Sequence, residues 1–401
     1  IEKINIFSIN ADFYGNVAEG NSVSYGLEWT YNKIRSEGFS LDLVLDSDNI
    51  IGYSNRTMIP SRYPNEGSSA SSFAGYLNWI FRANENLILN AGLRITGSKI
   101  RARWNDTAQV DKLLSTVNLQ SEALTYTLAM TYRPNQKWQI NSLISSGFRN
   151  PNIDDIGKIR ESNGILLMPN SFLKPEYAYT FESGVKFNTP NKTNFIELRA
   201  FNTLVSRHIV RSNFFVFTDT TTTDENTILY NGEEVITQAN KNLGNRFIYG
   251  GSIQGNWLLI KPFEIMGGIT FTTADRNEDY GPMPSIAPLF GTFTLSHVMK
   301  NWKTILIWRF SQRKYPNQYS LGGEDGLNET PLINPEASNE IYRYYGMPSW
   351  NIWSILSQYQ LRKNIVFNVG LKNIFDLHYR TFASGISGEG RSLHLGVKVK
   401  I

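Results

Sequence analysis

The side chains that could do acid–base, nucleophilic or metal chemistry are few and badly spaced for it. Cysteine is absent, which removes thiolate nucleophiles, thiolate metal sites and disulfide staples, and suits an oxidising envelope compartment. His208, His297, His378 and His394 are far apart, with no H-E-x-x-H and no pair at metal-ligand spacing. The carboxylate neighbours Asp154 and Asp155, like Glu233 and Glu234, diverge on extended or loop backbone and make poor catalytic pairs. Gly322-Gly323 lacks the following Lys-Ser/Thr of a phosphate-binding loop. No catalytic, cofactor-binding or metal-ligating residue is assigned, no cofactor is expected, and the chain does not read as an enzyme.

Recognition chemistry is better represented. Tyr63, then Phe214, Phe215 and Phe217, then Tyr315, Tyr319, Tyr342, Tyr344 and Tyr345 fall in polar stretches beside Arg149, Arg313 and Lys314. Rings can stack on sugars or enclose a metal complex, and guanidinium groups attract anions, although such residues also pack on one another. The candidate ligand-binding residues on this reading are Arg149, Phe214, Phe215, Tyr315, Tyr319, Tyr342 and Tyr345.

Strands must position them. Leu393, Leu395, Val397, Val399 and Ile401 alternate with Ser392, His394, Gly396, Lys398 and Lys400, a period of two without an error. The same alternation covers 365–372, 86–104, 119–133 and 177–187, and several of these segments exceed ten residues, longer than the usual strand of a soluble protein. In the closing segment Leu395, Val397 and Val399 are expected to face lipid, with His394 and Lys398 facing a polar interior. Further strands are expected at 3–14, 22–32, 38–46 and 72–82, giving roughly sixteen in all.

The connections alternate between tight turns, near 83–86, 133–137, 188–193, 259–262, 299–302 and 361–364, and long polar stretches, near 105–118, 149–175, 212–243, 275–288, 313–347 and 376–390. Antiparallel neighbours joined this way place all turns at one rim and all loops at the other, the asymmetry of outer-membrane barrels. Trp79, Trp104, Trp138, Trp257, Trp302, Trp308, Trp350 and Trp353 flank strands as an aromatic girdle would. Hydrophobic residues make up 41% and charged residues 18%, which excludes disorder, and no run of about 18 apolar residues exists, so a barrel is the one spanning structure open to the chain. A net charge of +4 supports no nucleic-acid role.

Three motifs resemble those of TonB-dependent outer-membrane receptors. Ser146-Gly147-Phe148-Arg149-Asn150-Pro151-Asn152-Ile153-Asp154-Asp155 is similar to the family's "GFRxPxxxDL" box, Leu173-Lys174-Pro175-Glu176 with Glu182-Ser183-Gly184 to its "LkPE…E.G" stretch, and Val369 through Asp376, with His378-Tyr379-Arg380 and Gly390-Arg391, to its C-terminal signature. The resemblance implies an all-β, antiparallel transmembrane β-barrel in the outer membrane of a Gram-negative bacterium, of which 1–401 is the C-terminal part of a barrel of about twenty-two strands. An N-terminal plug and the first strands are expected outside the chain, and Ile401 stands where such barrels commonly end in an aromatic.

The implied function is energised uptake of a bulky, scarce nutrient such as an iron–siderophore, another metal complex or an oligosaccharide. The implied partners are outer-membrane lipid, TonB and a surface lipoprotein. Haem receptors of the family commonly carry a His between the box that Phe148–Pro151 resembles and the Pro169-Asn170 region, and residues 152–168 contain none. The rival reading is a passive sixteen-stranded porin, followed by a surface adhesin. Pro151, Asn373 and Asp376 read as architectural: Pro151 lacks the N–H that would continue a ladder, and the other two can bond local backbone where a strand ends.

Overall fold

The computed structural model describes all residues except 48, 60, 62, 104–115, 157–159, 163, 191–192, 216–226, 231–232, 278–280 and 401. Trp104, Phe217 and Ile401 therefore lie outside the described residues. Fifteen strands form one antiparallel sheet: β1 Glu2–Ala18, β2 Asn21–Ser36, β3 Ser68–Arg82, β4 Leu87–Arg103, β5 Thr116–Tyr132, β6 Trp138–Arg149, β7 Glu176–Asn188, β8 Phe195–Ser206, β9 Arg246–Ile260, β10 Phe263–Ala274, β11 Phe290–Met299, β12 Trp302–Ser311, β13 Trp350–Arg362, β14 Ile365–Lys372 and β15 Ser392–Val399. Each pairs with its neighbour in this order, and β1 and β15 form the two edges.

The register sorts side chains by chemistry. Val23, Trp79, Ala91, Leu128, Ile144 and Phe181 lie side by side across six strands. The adjacent row, Ser24, Asn78, Gly92, Thr127, Ser145 and Thr180, points to the opposite face and is polar or glycine throughout. The apolar face is exposed, Leu128 by 54% and Phe181 by 53%, as a wall turned to hydrocarbon requires. On the polar face Arg94 pairs with Glu28 across three strands, and Arg199 with Glu197 at 2.6 Å and Glu182 at 3.5 Å. In β15, Leu395 and Val397 align with Val369 and Phe367 on the apolar face, and Lys398 aligns with Val366 on the other, as the alternation predicts.

Rings bound the apolar face at both ends. Trp138 and Phe148, Phe187 and Tyr177, and Trp257 and Phe247 are each ten positions apart on one face of β6, β7 and β9. Ten residues at about 3.3 Å, tilted about 40°, rise about 25 Å, the height of a barrel's lipid-facing band. Trp138 packs on Phe187 at 5.0 Å and Phe148 on Tyr177 at 6.3 Å, so both girdles are joined across β6 and β7.

All fourteen connections obey the rim rule. The turns are 19–20, 83–86, 133–137, 189–194, 261–262, 300–301 and 363–364, and the excursions are 37–67, 104–115, 150–175, 207–245, 275–289, 312–349 and 373–391. One expectation differs. Gly38–Asp46 is a strand but not part of the wall; it pairs with Asn49–Ile59 in a separate hairpin, and β2 pairs with Ser68–Arg82 instead. Leu41, Leu43 and Leu45 give that segment the alternation of a wall strand, and local alternation does not name the partner. Among the described residues no helix is long and apolar enough to cross a membrane.

Candidate functional site: the loop rim

The excursions build structure of their own above the wall. Ile209–Asn213, Thr227–Tyr230, Glu233–Asn242, Ile165–Leu167 and Arg160–Ser162 form a five-stranded sheet, with Ile165–Leu167 parallel to Ile236–Gln238. Leu166, Met168, Val235 and Ala239 make its buried core, and Phe214 packs against them. Below it, Ile100, Ala102 and Val117 from the upper ends of β4 and β5 meet Ile156, Leu173 and Ile209 from the loops.

Polar groups lock this block to the wall. Asp155, 6% exposed, accepts from Arg149 at 2.6 Å, from the Asn152 N–H at 2.9 Å and from Asn240 Nδ2 at 2.9 Å. Asn150 donates to Ser98 at 2.6 Å and accepts from Ser121 at 2.8 Å, which pins the chain just before Pro151. Glu176 accepts from the Ile209 N–H at 2.5 Å, and Asn242 bonds both the N–H and the carbonyl of Lys174. The first two receptor-like motifs therefore tie the 150–175 and 207–245 excursions together. At the third motif Asn373, 1% exposed with φ 45°, donates to the carbonyls of Leu377 and Glu389, and Asp376 accepts from the Arg391 N–H at 2.8 Å. That N–H, with the Arg391 guanidinium, holds the Asp376 carboxyl below its ordinary range.

A second block joins 275–289, 312–349 and 373–391. Lys314, 2% exposed, donates to the Ile286 carbonyl at 2.7 Å and to Asp325 at 3.2 Å, and stands 3.8 Å from the centre of the Phe382 ring. Burial lowers its pKa, and the Asp325 carboxylate opposes that shift. Tyr319, 4% exposed, accepts from the Met347 N–H at 3.1 Å, and burial pushes its hydroxyl up to about 12. Arg313 lies between Tyr345 at 3.5 Å and Tyr315 at 4.4 Å, and donates to the Tyr345 carbonyl. Gly346 has φ 78°, and a Cβ there would stand 2.2 Å from the Lys314 carbonyl oxygen.

The seven predicted ligand residues are thus dispersed. Arg149 is bonded to Asp155, Phe214 is packed on the loop-sheet core and Tyr319 is buried, whereas Phe215 and Tyr342 are exposed. Tyr315 and Tyr345 are brought together, with Arg313 as their occupant. Between the two blocks lies a cavity of about 840 Å³, walled on one side by Ile165, Leu167, Arg211 and Gln238 and on the other by 319–330 with Arg343, Tyr344, Met347 and Arg380. Arg211 and Gln238 carry no sequence signal; only the pairing of short loop strands aims them there. Of the described residues, no group of His, Asp and Glu is arranged to hold a metal ion.

The model of the family described as "TonB dependent receptor-like, beta-barrel" matches residues 3–374. The chain belongs to that family. These receptors sit in the outer membrane of Gram-negative bacteria, and the family is one of transporters and receptors rather than enzymes. Similar solved structures include the copper transporter OprC, with TM-score 0.72, 14% identity, and 99% of this chain against 57% of that one. The siderophore receptor PiuA from Acinetobacter baumannii gives TM-score 0.69 and 15% identity over 99% and 56% of the two chains. The Serratia marcescens hemophore receptor HasR, solved with its hemophore HasA and heme, gives 0.67 and 16% over 99% and 59%. The chain therefore spans little more than half the length of these TonB-dependent receptors. None of the curated proteins matches it in sequence.

Proposed function

We propose that residues 1–401 are the loop-bearing wall of a receptor that takes up a bulky, scarce nutrient, an iron–siderophore, another metal complex or an oligosaccharide, by TonB-dependent transport. The observation that supports this is the cavity of about 840 Å³ between two internally bonded loop blocks above a polar-faced wall. Sites of about 300–1,000 Å³ suit ligands of that size. Phe215, Tyr315, Tyr342 and Tyr345 are proposed to meet the ligand at the rim, while Arg149, Phe214 and Tyr319 hold the loops in shape. A plug and a TonB-contacting segment, which the proposal requires, fall to sequence outside 1–401, and a surface lipoprotein could cap the loops.

The deciding experiment is uptake by cells expressing the full-length receptor, with labelled siderophores and oligosaccharides as probes. Saturable uptake that stops when TonB is deleted is the expected result. Uptake that persists without TonB, together with large steady conductance in planar bilayers, would return the chain to the porin reading.

A further inference from the structure

The alternation of the wall inverts at one side of the barrel. On β4 the membrane-facing positions run Leu87, Leu89, Ala91, Leu93, Ile95 and Gly97, and then become Lys99, Arg101 and Arg103. The opposite face changes in step, from Asn90, Gly92 and Arg94 to Ile100 and Ala102, which are buried against the loop base. On β2 the change falls between Tyr31 and Lys33, followed by Arg35; on β1, between Phe7 and Asn5, followed by Lys3. Leu87 to Gly97 spans ten positions, about 25 Å of tilted strand, so the inversion marks where the wall leaves hydrocarbon on the loop side. Elsewhere the girdle rings Phe148, Tyr177 and Phe247 lie at strand ends, and no such extension follows.

The outward face of this extension is basic. Lys33 and Arg101 flank Ser69 in one register row, about 10 Å apart at the usual strand spacing, and Lys99 lies in the row below. Lys3 is directly opposite Arg35, an arrangement of like charges that costs stability. Glu66 is bonded to Arg103 at 2.7 Å and Glu122 stands at the lower border beside Gly97. Among the described residues, the side chains of Lys3, Lys33, Arg35, Lys99 and Arg101 form no ion pair, and Lys33, Arg35 and Arg101 are exposed. Packing of the inner face asks only for polar residues outside, and Ser, Thr or Asn would serve. Like charges placed this way leave the face able to accept an anion from outside the chain.

We propose that this face binds the phosphate groups of outer-leaflet glycolipids and so anchors one side of the receptor to the surrounding membrane. Its height fits, since it begins one register step above Trp29 and Phe73, where head groups lie. Its chemistry fits too, because Arg forks phosphate oxygens and each cation near an anionic surface contributes roughly fivefold in affinity.

The test is native mass spectrometry of the full-length receptor with diphosphorylated lipid A, or its dephosphorylated form, presented in phosphatidylcholine nanodiscs. The triple variant Lys33→Gln, Lys99→Gln, Arg101→Gln should bind the phosphorylated lipid on the order of 100-fold more weakly, whereas Lys33→Arg, Lys99→Arg, Arg101→Lys and the turn-rim control Lys137→Gln should bind it as the parent does. Raising ionic strength should weaken binding by the unsubstituted receptor, a readout that survives if the triple variant fails to fold. Equal retention by the neutralised variant, equal binding of dephosphorylated lipid, or no dependence on salt would overturn the assignment. Capture of polyglutamate without capture of the lipid would overturn it in favour of an acidic protein partner.

Discussion

Leu128 tests the orientation of the whole wall. It lies midway between Tyr132 at the turn rim and Leu124 near the loop-side membrane interface, in register with Ala91 and Ile144, and 54% of it is exposed. Its chain neighbour Thr127 points to the polar interior beside Gly92 and Ser145. An Arg at the bilayer midplane on the lipid face costs about 2–4 kcal/mol, falling toward zero at the interfaces. Leu128→Arg should therefore lower the folding equilibrium constant roughly 30- to 800-fold, while Thr127→Arg, whose guanidinium reaches a wet lumen, should change it by less than about fivefold. Val397→Arg should fall between them, because Val397 sits opposite Phe367, close to the 363–364 turn and hence to the interface. The assay is guanidinium unfolding of the full-length receptor in lipid vesicles, followed by tryptophan fluorescence. Equal losses at 127 and 128 would refute the membrane-facing assignment of the alternating faces.

Three further outcomes follow from the loop rim. Asp155→Ala leaves the donors on Arg149, Asn152 and Asn240 without their shared acceptor, and should cost about 1–3 kcal/mol locally, read as faster hydrogen exchange at 150–175 and 207–245. His208 is 5% exposed, its Nδ1 has no partner, and burial followed by the Arg246 charge lowers its pKa from 6.5 to about 4. The fold thus favours the neutral ring: stability is fully present above pH 6.5 and is lost as pH falls toward about 4, up to about 3 kcal/mol, so loop-sheet protection should fade over that window in the parent and fade less in His208→Asn. A Cβ on Gly388 would stand 2.2 Å from the Tyr379 ring, so Gly388→Ala should displace that ring from Trp350, 5.0 Å away, and lower the unfolding midpoint by the equivalent of about 1–3 kcal/mol.

The wall was legible because one physical demand, apolar outside and polar inside, writes a period of two into every strand, and because the turn and loop rims differ in length. The segment 38–46 shows the limit of that signal: Leu41, Leu43 and Leu45 mark a strand, but pairing belongs to the register of Ser24 and Asn78, which no local pattern states. The loop sheet was illegible for a related reason. Its strands Ile165–Leu167, Ile209–Asn213 and Thr227–Tyr230 are too short to show a period, and its parallel pair joins excursions separated by two wall strands. Arg149 could be read as pairing near Asp154 and Asp155, yet only the structure selects Asp155 and brings Asn240 to it. The tyrosines were found as a group, but whether a ring is free depends on its neighbour: Arg313 fills the space between Tyr315 and Tyr345.

The chemistry of the loops also explains why so many polar residues there are spent on structure. The loop sheet has a small apolar core of its own at Leu166, Met168, Val235 and Ala239, and on the proposed reading a core continued across the cavity would close it to ligand. Each block is also fixed at a small number of bonded groups, Asp155 with Asn240 on one side and Lys314 with Asp325 on the other. Removing one member of a buried ion pair costs about 3–5 kcal/mol, so Lys314 and Asp325 hold the 275–289, 312–349 and 373–391 excursions in a single arrangement without filling the space above them. Among the described residues the blocks meet across the cavity far more weakly, at the Arg211 N–H and Glu324, 3.4 Å apart. Among the described residues, strong bonds lie within each block and a long one between them, so on the proposed reading the space between the blocks is the part of the rim that adjusts to a ligand.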